Sequence, residues 1–214
     1  MAIFLFGGGL VIGLVTPTEL SLPYEYIVGL KELSSILVPF SALTAVIIFI
    51  KNISVMLISF VFSPFLCLVP ILTLTANGWL MGFVSAVVVQ EESIGYVVAG
   101  LFPHGIFELP ALIIAQAAAL SFGAMAIILV LKKESRTVLV STVTKDVGHV
   151  LLGLALFFIV GIFHTIIIVA LLEKQTRDLL MVNINQNLRY LMIACALLLP
   201  AAIIETFVTP LLLT

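Results

Sequence analysis

The chain has 214 residues, 63% of them hydrophobic and only 9% charged, with a formal net charge of −2 and a mean hydropathy of +1.35. A water-soluble domain carries roughly 25% charged residues, so this chain cannot cover a surface that faces water. Without a basic patch, it also excludes nucleic acid as a partner.

Several segments exceed the roughly 18 near-continuous apolar residues that mark a membrane-spanning helix. The reading is an all-α, polytopic transmembrane helical bundle of about six spans. It forms a single integral membrane domain over 1–214, multi-pass in the cell membrane with the lipid bilayer as its first partner. Cys67 and Cys195 sit in apolar segments far apart in the chain and read as buried, inert thiols.

Ala2–Val15 lacks the basic region and small-residue cleavage site of a removable signal and reads as a retained first span. Its Gly9 and Gly13 have the small-xxx-small spacing that lets helices approach closely, within one chain or between copies in a homo-oligomer. Thr16–Ser34 follows as a polar interfacial connection with Pro17, Pro23, Tyr24 and Tyr26. Leu33–Ile50 reads as a span, with a helix lying in the interface as the alternative. Lys51-Asn52 reads as a break, and Ile53–Thr75 as a further apolar segment kinked at Pro64 and Pro70.

After Asn77-Gly78, the apolar piece Trp79–Val89 would rise only about 16 Å as a helix, too little for a core of roughly 30 Å. It reads as re-entrant. Gln90–Ser93 is an acidic turn. Pro103 then divides Ile94–Phe102 from Pro103–Leu131, two helices meeting at the proline. The basic cluster Lys132–Arg136 makes Lys132–Asp146 the cytoplasmic connection. Val147–Leu172 is a span with His149 and His164. Glu173–Asn187 reads as a polar connection, and Leu188–Leu213 as the last span, with Pro200 and Glu205 near its middle.

Leu101–Pro110 sets a histidine and a carboxylate between two prolines inside this apolar chain. An ionisable group in hydrocarbon is expensive unless paired or wetted, which marks a functional site. His104 and Glu108 are four residues apart and share one helix face. Pro110 leaves the Ile106 carbonyl without its helical donor, and broken helices of this kind build many transporter sites.

His104, Glu108 and Glu205, with Asn77 nearby, are therefore expected to converge. Such a group can relay protons or bind a cation in a pathway. It can ligate a metal through His104, Glu108 and Glu205, or use Glu108 as a base for intramembrane hydrolysis. It can also simply fix helix packing. An enzymatic role is the less favoured reading, and the residues name no cofactor.

The Phe102–Ala111 segment, Phe-Pro-His-Gly-Ile-Phe-Glu-Leu-Pro-Ala, resembles the Pro-His-Gly-x-x-Glu-x-x-Ala hallmark of the stage II sporulation protein M family of integral membrane proteins. Phe49-Ile-Lys-Asn52, then Asn77-Gly78, and then the closing Ile204-Glu-Thr-Phe-Val-Thr-Pro210 are similar to further family patterns, in the family's order over about residues 40–214. The resemblance implies that Asn52, Asn77, Gly78, Pro103, His104, Gly105, Glu108, Glu205, Thr209 and Pro210 are the family's polar and structural hallmarks, without a catalytic assignment.

The namesake of the family is a membrane scaffold that recruits two peptidoglycan-degrading partners. This chain has no soluble domain to dock such enzymes. The expected function is thus a membrane scaffold or permease-like protein with a buried His/Glu polar site. An ion- or proton-coupled transporter is the first alternative, and an intramembrane metal-dependent hydrolase the second.

Overall fold

The computed structural model describes residues 1–17, 39–64, 67–131 and 174–213. His149, His164, the expected span Val147–Leu172, the connection Lys132–Asp146 and most of Thr16–Ser34 lie outside the described residues. Those described are helical: α1 Ala2–Val15, α2 Ala42–Phe62, α3 Leu68–Glu91, α4 Ile94–Leu131, α5 Lys174–Phe207 and the short α6 Thr209–Leu212. Four of them, α2 to α5, are long and apolar enough to cross a membrane. The 14 residues of α1 rise only about 21 Å, so α1 is shorter than a full span.

The helix boundaries differ from the expected ones, and hydrogen-bond economy in lipid explains why. A backbone group without a partner costs several kcal/mol there, so a helix continues through residues that would end it in water. Lys51-Asn52 is not a break but the middle of α2. The chain turns instead at Ser63–Cys67, where Pro64 has no N–H to give and Cys67 takes a left-handed φ of 55°.

Pro70 falls in the first turn of α3, where its missing donor has no helical partner to lose. Asn77-Gly78 and Trp79–Val89 are one continuous helix with the residues before them, not a re-entrant piece. Pro103 and Pro110 likewise lie inside the unbroken, 38-residue α4. Each proline frees one carbonyl, of Ala99 and Ile106, while a full helix break would free several.

The expected polar connection Glu173–Asn187 is helix from Lys174 onward. Leu180, Ile184, Asn187, Leu191, Ala194, Leu198 and Ala201 recur at alternating steps of four and three. Most belong to a core shared with Ala111, Ala115, Phe122, Ala126 and Leu129 of α4. That seam is a coiled-coil repeat, and the outer face mixes charged and amide residues with exposed Leu179, Met181 and Val182. Asn187 bonds Ser121 across it at 3.4 Å, and His104 meets Thr209, so α4 and α5 run antiparallel. Contacts of Asn52 with Glu108 and of Ser63 with Gly123 make α2 parallel to α4.

The helix α1 lies along α3 in parallel. A β-carbon at Gly9, Gly13, Gly78 or Gly82 would overlap a backbone carbonyl oxygen of the facing helix, respectively Thr75, Trp79, Phe6 and Leu10. All four are buried, and only glycine permits this approach. The Gly9/Gly13 spacing therefore serves packing within the chain. At the far end Trp79 Nε1 donates to Thr16 Oγ1 at 3.1 Å.

A candidate polar site between α2, α4 and α5

Because α4 continues through Pro103 and Pro110, His104 and Glu108 stand one turn apart on a single helix. His104 Nε2 lies 3.9 Å from Glu108 Oε2, with 13% and 28% of the two side chains exposed. From α2, Asn52 Nδ2 donates to Glu108 Oε1 at 3.0 Å. Thr209 Oγ1, at the start of α6, lies 3.3 Å from His104 Nδ1 and 3.4 Å from the Ile204 carbonyl oxygen. Pro210 stands in the first turn of α6 and helps to hold Thr209 in place. Glu205 is half-buried on α5, within electrostatic range of both Glu108 and Lys51.

His104 thus stands beside Glu108 on α4, and Glu205 of α5 lies within electrostatic range of that carboxylate. Asn77 makes a different contact. It is exposed, and its Nδ2 donates to the Thr73 carbonyl of its own helix at 2.7 Å. The asparagine that meets Glu108 is Asn52. Gly78 belongs to the α1–α3 seam, and Gly105 is buried with no backbone pressed against it.

Thr209 and Asn52 were legible as pattern but not as contacts. In the sequence Lys51 reads as helix punctuation, which hides its place near Glu205. Its signal was a cation amid an apolar run without any glycine or proline beside it.

The cysteines are free thiols; Cys67 Sγ is 3.7 Å from the Leu120 carbonyl oxygen. Among the described residues, no three His, Cys, Asp or Glu side chains gather as a metal ion would require. The cluster has two carboxylates, an imidazole between a carboxylate and a hydroxyl, and one ammonium at longer range.

The protein-family model described as Stage II sporulation protein M matches residues 2–165. The match takes in the Phe102–Ala111 segment and reaches nearer the N-terminus than the motif resemblance did. The closing Ile204–Pro210 pattern lies beyond it. The chain matches no curated protein and no solved structure.

Proposed function

The chain belongs to the stage II sporulation protein M family, and from that premise we propose that it is a permease-like protein of the cell membrane whose α2/α4/α5 cluster takes up and releases a proton. The observation that carries this reading is the charge balance. Glu205 lies within electrostatic range of Glu108 and of the cation Lys51. Two carboxylates set against one ammonium are an unequal number of opposite charges in a low-dielectric bundle. One proton neutralises the group.

The hydrogen bonds around His104 suit such an exchange. When the imidazole carries a proton on each nitrogen, Nδ1–H donates to Thr209, whose hydroxyl donates in turn to Ile204. When His104 is neutral with its proton on Nε2, towards Glu108, the Thr209 hydroxyl can rotate and donate to Nδ1. The Thr209 hydroxyl, both donor and acceptor, therefore follows the proton without any movement of the backbone. Asn52 holds Glu108 in place through either state.

The test is proton flux in sealed vesicles containing the purified protein, followed with an internal pH-sensitive dye under an imposed gradient. The expected result is flux that disappears in Glu108→Gln and in His104→Ala. A folded protein that moves no protons under any gradient overturns the proposal. In that event the cluster is a packing device of a membrane scaffold, for which captured protein partners would be the readout.

A further inference from the structure

Two turns beyond Glu108, α4 carries a second polar feature that the cluster does not use. Gln116 is completely buried, with a relative exposure of 0%. Neither its Nε2 nor its Oε1 has a hydrogen-bond partner among the described residues. An amide with both ends unsatisfied costs several kcal/mol in an apolar interior, so a natural bundle needs a reason to keep it.

Its surroundings supply one. Ile113 and Leu120, one turn to either side on the same face of α4, pack with Leu74 and Ile71 of α3. Gln116 is thereby placed on the face turned to α3. The helices α2 and α4 run parallel from the Asn52–Glu108 bond to the Ser63–Gly123 contact. Ser59, seven residues past Asn52, therefore stands at about the level of Gln116, eight residues past Glu108. Ser59 is 1% exposed, and its Oγ is 3.1 Å from Thr73 Oγ1 on α3. By this register three helices contribute an amide and two hydroxyls at about one level of the bundle.

We infer that Gln116, Ser59 and Thr73 form an internal water-binding layer. Water fits this layer better than a metal cation does. A cation would satisfy Oε1 but would face the Nε2 donor, and all three side chains are neutral. A water molecule both donates and accepts, and so answers both ends of the amide.

The test is the melting temperature in detergent of Gln116→Met, which keeps the length and flexibility of the side chain. If the amide is hydrated, the substitution strands the water and lowers the melting temperature; a dry, unpartnered amide gives a rise, which overturns the water layer. Ser59→Ala checks the same direction with a smaller change of shape.

Discussion

Two places where helices of this bundle are tied together use opposite means. Along α1 and α3 the contact consists of missing side chains: Gly9, Gly13, Gly78 and Gly82 bring backbone against backbone. Between α2, α4 and α5 polar side chains are added to an apolar core: Asn52 on Glu108, His104 beside it and Thr209 behind. Lipid tails are as apolar as leucine, so hydrophobicity alone gives spanning helices no reason to associate. Close van der Waals packing and interhelical hydrogen bonds take its place. The glycine seam can do nothing but hold. The polar cluster holds and also carries ionisable groups, His104 and Glu108.

The sharpest way to break this contrast is to fill the seam. Gly78→Leu would drive a side chain into the Phe6 carbonyl, and Gly13→Leu one into that of Trp79. Each is expected to cost about 3 kcal/mol or to detach α1 altogether. Thermal unfolding in detergent reads this directly, and a wild-type melting temperature in either variant removes the seam from the account.

A smaller effect is expected in the cluster. Asn52→Ala leaves a Glu108 oxygen without its donor, and interhelical hydrogen bonds in membranes average about 0.6 kcal/mol with a maximum near 1.7. The loss should therefore lie in that range. A loss as large as that of Gly78→Leu would mean that the cluster is the main clasp of the bundle.

The control lies beside the seam. No heavy atom lies within 4 Å of the positions a β-carbon would take at Gly7 and Gly8. Gly8→Ala should consequently be neutral or stabilising by up to about 1 kcal/mol through helix propensity. Destabilisation there would show that the seam extends further than the structure describes.

How much of this was legible in the sequence follows from the same physics. The pairing of His104 with Glu108 depends only on helical periodicity, and composition alone required a membrane bundle. The helix ends were misread because Lys51-Asn52, Asn77-Gly78 and Pro103 are signals calibrated on water. There, a freed backbone group is hydrated, so breaking a helix costs little. In lipid the continuous helix wins, and the structure turns at Pro64 and Cys67 instead.

The N-terminal part of α5 was hidden for a different reason. Lys174, Arg177, Asp178 and several amides make its composition polar, while the four-three repeat of Leu180, Ile184, Asn187 and Leu191 carries the packing. Contacts across helices were the least legible. The sequence offered Asn77 and Asn52 as equivalent hallmarks, and only the parallel course of α2 and α4 brings Asn52 to the carboxylate.

The claim that the cluster works while the seam only holds is tested most directly by one variant and two readings. In Glu108→Gln the amide still offers Asn52 an acceptor, so the melting temperature should stay near that of the unaltered protein. Proton flux in vesicles should disappear. Retained flux, or a melting temperature that falls together with the flux, would contradict the account and make Glu108 one more packing residue.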